Sequence, residues 1–100
     1  MVAHPQDPTL PVVAHVRFVP ATAEDDRAGL LGYVSCTLAG AVALAGIALR
    51  RTAAGDLRLS FPESTDRAGR RHAYFRPLDD RTRQHLEREI LKALGPAVSP

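Results

Sequence analysis

The residues that most often hold metals or act as nucleophiles are few in this chain, and their spacing argues against both roles. His4, His15, His72 and His85 lack metal-ligand spacing, and Cys36, the one cysteine, cannot complete a zinc quartet. Cys36 falls on the apolar side of an alternating run, so it reads as a small buried residue and not as a nucleophile. Asp79 and Asp80 could form a carboxylate pair for acid–base chemistry, but they stand just before a helical pattern and suit a cap better. Glu24-Asp25-Asp26 reads as an exposed acidic turn in preference to a cation site. No phosphate-binding or dinucleotide glycine pattern occurs. The expectation is a non-enzymatic protein with no metal, no cofactor and no small-molecule substrate.

The basic residues point elsewhere. The first 49 residues carry two Arg against four carboxylates, a balance of −2; the rest carry ten Arg and Lys92 against seven, a balance of +4. Arg forks onto phosphates, so this asymmetry suggests an anionic partner for the second half. Candidate nucleic-acid contacts are Arg67, Arg70 and Arg71 in a polar loop, with Arg81, Arg88 and Lys92 on a helix. Such groups position a phosphate backbone and do not by themselves read sequence. Arg83 belongs to the candidate set too, although its place over the apolar stripe favours pairing with Glu87. Tyr74 could stack on a base, but two Tyr in the whole chain make a poor stacking platform. The bland alternative for a charge line on a helix is a solvated face, diluted here by Glu87 and Glu89.

These side chains need a scaffold. The chain of 100 residues, 45% hydrophobic, is enough for one small globular domain. With one Cys, no intrachain disulfide forms. Met1 to Pro11 lacks the basic run and apolar core of a signal peptide and reads as a loose tail. Leu30 to Leu49 is uncharged and long enough for a spanning helix, with Arg50–Arg51 as a flank. It is rich in Ala, Gly, Ser and Thr, however, and its periodicity suits strands, so no membrane partner is expected.

Val12 to Val19 predicts a strand with Val12, Ala14, Val16 and Phe18 on one face. Ala21 to Gly29 reads as a polar connection. Leu30 to Leu38 predicts a second strand, with Val34, Cys36 and Leu38 opposite Tyr33, Ser35 and Thr37. Ala39–Gly40 suits a hairpin turn, and Ala41 to Arg51 a third strand. Val42 and Leu44 share one parity there, Ile47 and Leu49 the other, which predicts a bulge at Ala45–Gly46. Asp56 to Phe61 places Leu57, Leu59 and Phe61 inward. Pro62 to Arg70 reads as a loop, and Arg71 to Arg76 as a fifth strand bearing Tyr74 and Phe75. A helix then runs to about Leu94, stopped by Gly95–Pro96. Leu86, Ile90 and Leu94 form its stripe, widened by Leu91 and Ala93, while Arg81, His85, Arg88 and Lys92 line the opposite side.

This order of elements resembles the SpoVG (stage V sporulation protein G) septation-regulator family. Gly32 to Leu38 followed by Val42 to Leu49 resembles its small-residue strand, hairpin and next strand. Gly55 to Pro62 is similar to its strand ending in Met-Pro. Phe75 to Arg83, then Leu86 and Ile90, resembles its run of "H-P-I…T-R…I" into the helix. Arg76 stands where the family has His, and the loop after Pro62 opens with Glu63-Ser-Thr-Asp66 where the family is basic. The resemblance spans about residues 14–94. It implies a bacterial, cytoplasmic, homodimeric regulator that binds DNA, in some cases RNA, and influences septation, sporulation or gene expression.

The expected fold is therefore α+β: an antiparallel sheet of about five strands with one C-terminal α-helix packed on it. The expected divisions are a tail over 1–11, a domain over 12–95 and a short tail over 96–100. The expected function is nucleic-acid binding; the alternative is a protein-interaction or assembly module whose Arg residues only solubilise it. Open sheet edges would favour pairing with a second copy.

Overall fold

A computed structural model describes residues 10–95. The chain runs β1 (Val13–Pro20), α1 (Ala23–Arg27), β2 (Leu30–Leu38), β3 (Val42–Arg51), β4 (Leu57–Ser60), β5 (Glu63–Thr65), β6 (Arg71–Ala73) and α2 (Asp80–Leu94). The first four strands form one antiparallel sheet in the order β1-β2-β3-β4, and β5 and β6 form a separate ribbon. The α+β class holds, and of the roughly five strands expected four form the main sheet while the fifth, β6, pairs with β5 in the ribbon. Pro62 has no N–H to continue β4, and the chain leaves the sheet there. β6 is also shorter than expected, so Tyr74 and Phe75 lie beyond it.

Residues 30–49 are the β2–β3 hairpin, which removes the spanning-helix reading of that segment. Among the described residues no helix is long and apolar enough to cross a membrane. The hairpin turns through two left-handed residues, Ala39 (φ 56°) and Gly40 (φ 64°), and Ala41 N–H donates to the Leu38 carbonyl at 3.0 Å. The bulge expected in β3 is present. Val34↔Ile47 is followed by Cys36↔Leu44, so Ala45 and Gly46 contain an extra residue, with Gly46 at φ 76°.

A second bulge was not legible. Between Ala14↔Thr37 and Arg17↔Ser35, β1 carries one extra residue, and His15 takes a left-handed φ of 52°. A one-residue slip swaps faces. Val13, Val16 and Phe18 therefore turn to the core, whereas Val12, expected inside, is 63% exposed. The segment 21–29, read as a connection, contains the short helix α1. Thr22 caps it, its hydroxyl accepting the Asp25 N–H at 3.1 Å, and three acidic residues fill its first turn.

The core is one cluster of Leu31, Val34, Cys36, Leu44, Ile47, Leu49 and Leu59 from the sheet, closed by Leu86 and Ile90 from α2. Burying each of the two helix side chains stabilises by about 1.5–3 kcal/mol relative to exposure. Leu91 and Leu94 pack partly against the cluster, but Ala93, expected to widen the stripe, is exposed. Burial pushes the Cys36 thiol pKa up, in keeping with a structural cysteine. Phe61 and Phe75 meet edge to face with centroids 6.0 Å apart.

Gly32 lets β1 and β2 close. A Cβ there would meet the Val19 carbonyl oxygen and lie 2.6 Å from Phe18 Cζ. Gly32→Ala is expected to cost about 1–3 kcal/mol or more in urea unfolding. Ala39→Gly relieves a left-handed alanine and is expected to raise stability by up to about 1 kcal/mol in the same assay.

Candidate nucleic-acid interface

Most candidate cations lie on α2 and the β5–β6 ribbon, so the placement of these two elements decides which of them face outward. Asp79 caps α2: its Oδ1 accepts the Thr82 N–H at 2.8 Å, and the bonds from Thr82 hold its pKa below the usual carboxylate value. Gly95 closes the helix with φ 57°; Pro96 lies outside the described residues, as do 1–9 and 97–100. Leu86 and Ile90 seat one side of the helix on the sheet.

Glu87 turns to the same side. It is 9% exposed, and its Oε2 accepts the Leu59 N–H of the edge strand β4 at 3.2 Å. Arg58 Nη1 lies 3.9 Å from Oε1 and Arg83 Nη2 lies 3.8 Å from Oε2. Arg83 thus takes the structural pairing, and Glu87 does not dilute the solvent face as its sequence position suggested. On the helical wheel Glu87 falls about 20° from Leu94, inside the apolar arc. That spacing was the available signal.

On the far side, Arg81, Arg88 and Lys92 are exposed along one line spanning about 16 Å of helix. Among the described residues, Arg88 and Lys92 have no acidic partner. Glu89 lies off the line, about 60° round the helix from Lys92. His85, expected on this solvated line, is part-buried instead. Its Nε2 donates to the Pro11 carbonyl at 2.7 Å and ties the start of the domain to α2.

The ribbon carries Arg67, Arg70 and Arg71, all exposed, but two of them are engaged. Arg70 Nε lies 3.1 Å from Asp66 Oδ2, and Arg71 Nη1 lies 3.6 Å from Glu63 Oε1. Asp66 organises the turn: its Oδ1 accepts the N–H groups of Ala68 and Arg70, each at 2.9 Å, and its Oδ2 lies 2.8 Å from His72 Nε2. The His72 bond first, then the Arg70 N–H, lower the Asp66 pKa. Where the ribbon's open end meets the start of α2, the cleft is lined by Glu63, Asp79 and Asp80 as well as Arg76 and Arg83. The two basic groups therefore do not merge there.

Two further features were not anticipated. A groove of about 240 Å³ lies between the β2–β3 hairpin end and α2, lined by Leu38, Leu44, Phe61, Phe75, Pro77 and Leu86. Leu78, 86% exposed, stands at its mouth, and Tyr74 is 71% exposed. The second feature is a set of arginines on the sheet, Arg17, Arg50 and Arg58, on the face away from α2. Among the described residues no group of three His, Cys, Asp or Glu side chains could hold a metal ion. No family model matches the chain, and a comparison with curated proteins finds no match.

Replacing Glu87 by Ala orphans the Leu59 N–H and is expected to cost about 1–3 kcal/mol in denaturant unfolding, with Glu87→Gln, which keeps an acceptor, losing less. Because the Asp66 pKa is lowered on folding, its bonds are present above the ordinary value of 3.8 and lost as pH falls below it. Amide exchange at Ala68 and Arg70 is expected to lose protection in that window ahead of the α2 amides.

Proposed function

We propose that this domain is a non-enzymatic nucleic-acid-binding regulator of the kind the SpoVG resemblance implies, acting in the bacterial cytoplasm. The observation that carries the reading is the rotation of α2. Glu87 is turned inward onto Leu59, so Arg88 and Lys92 stay exposed beside Arg81, and among the described residues no carboxylate pairs with Arg88 or Lys92. Exposed cations in a line exchange condensed counterions for protein contacts, and binding then falls steeply with salt. Arg67, which has no acidic partner among the described residues, supplies a further cation on the ribbon, whereas Arg70 and Arg71 would have to exchange internal partners for phosphate. Arg83, held by Glu87, supports the helix instead of touching nucleic acid.

A homodimer belongs to the same proposal. The β4 edge is blocked in its middle by Glu87, so strand pairing with a second copy would use β1. One observation favours the other reading, a protein-interaction module: the apolar groove beside exposed Leu78.

A salt-titrated mobility shift separates the two. Binding is expected to weaken with salt, and Arg88→Glu/Lys92→Glu is expected to lower the slope of log affinity against log salt by about 1.5. Absence of binding at low salt would favour the interaction module.

A further inference from the structure

The sheet has two faces, and α2 covers one. Strands β1, β2, β3 and β4, of 8, 9, 10 and 4 residues, contain four Arg and no Asp or Glu. The register fixes where three of these arginines point. Phe18↔Val34, Val34↔Ile47 and Leu49↔Leu59 are core pairs, so the alternate pairs Arg17↔Ser35, Val19↔Tyr33, Tyr33↔Ala48 and Arg50↔Arg58 lie on the opposite face. Arg17 and Arg50 are exposed and, among the described residues, have no acidic partner; Arg58 reaches only Glu87, round the sheet edge, at 3.9 Å. Tyr33 is 46% exposed and sits in the row between Arg17 on one side and the Arg50–Arg58 pair on the other.

The Arg50–Arg58 pair is unfavourable for the sheet alone. Like charges directly opposed across antiparallel strands destabilise it, and among the described residues the one carboxylate in reach, Glu87, meets Arg58 and not Arg50. A polyanion does. A surface with cations on both sides of an exposed aromatic ring matches a strand whose phosphates and unpaired bases are both accessible: the phosphates reach the guanidinium groups and a base stacks on the ring. A duplex hides its bases and offers grooves that admit a helix, which suits α2 and not this face.

We propose that the α2-distal face of the sheet binds single-stranded nucleic acid, with Arg17 and Arg50 on the phosphates and Tyr33 stacked on a base. This surface extends the nucleic-acid reading above but is separate from the α2 line, so the two stand or fall independently.

The test uses the full chain with labelled 12-mer oligo-dT and oligo-U, a 12-base-pair duplex, and vesicles of phosphatidylglycerol and phosphatidylcholine, followed by fluorescence anisotropy or cosedimentation. The oligonucleotides are expected to bind at low salt, and Tyr33→Ala to weaken them about tenfold. Arg17→Glu/Arg50→Glu is expected to remove that binding and to leave binding of the duplex within about threefold. In a Tyr74→Phe background, Tyr33 fluorescence is expected to be quenched on oligonucleotide addition. Arg50→Glu replaces a repulsive pair with an attractive one, so the melting temperature of the Arg17→Glu/Arg50→Glu variant is expected to be no lower than the parent's. Single-strand binding lost only in the α2 variant would overturn the inference and leave the α2 reading standing. Binding of vesicles but of no oligonucleotide would overturn it as well, and so would unquenched Tyr33 with unchanged affinity in Tyr33→Ala.

Discussion

The contact between the Glu87 carboxylate and the Leu59 N–H sets the outer surface of the molecule. A short edge strand leaves backbone donors exposed, and a helix laid on a sheet is free to roll unless something fixes it. Glu87 does both jobs: it takes up the Leu59 N–H of β4 and, with Leu86 and Ile90, fixes which side of α2 faces in. The position of every cation on α2 follows from that rotation. Arg83 is drawn in to serve the buried carboxylate, and Arg88 and Lys92 are turned out. A buried carboxylate is costly to desolvate and is tolerated where a backbone donor and two guanidinium groups surround it.

The strand periods, the β3 bulge, the Asp79 cap and the Gly95 stop were legible because each rests on local rules of side-chain alternation, turn chemistry and capping. The β1 bulge was not, because nothing in Ala14-His15-Val16 marks a residue about to enter left-handed space; the register is imposed by β2 through Phe18 packing over Gly32. The departure of β6 from the main sheet was half legible. Pro62 ended β4 as expected, but the pairing of β5 with β6 depends on the carboxylate of Asp66 folding the turn, a side-chain effect that composition does not display.

The candidate site divided in the same way. Types and spacing on α2 marked Arg81, Arg88 and Lys92 as one line, and the structure keeps them together. His85 belonged to that line by spacing alone and was withdrawn from it by Pro11, a contact 74 residues away in sequence. Arg67 and Arg70 lie on the turn of the ribbon and Arg71 begins β6; the carboxylate partners of Arg70 and Arg71 follow from hairpin pairing, which brings Glu63 opposite Ala73 and beside Arg71. Arg17 lies far in sequence from Arg50 and Arg58, and the three share one face of the sheet only through its register.

The central claim, that the rotation of α2 presents a basic line to nucleic acid, is tested most directly by ¹⁵N–¹H correlation spectra of the full chain during titration with a short DNA duplex at low salt. The account predicts salt-reversible shifts clustered at Arg81, Arg88 and Lys92, with α1 silent. Shifts confined to the groove around Leu78 and Phe75, or none at all, would contradict it.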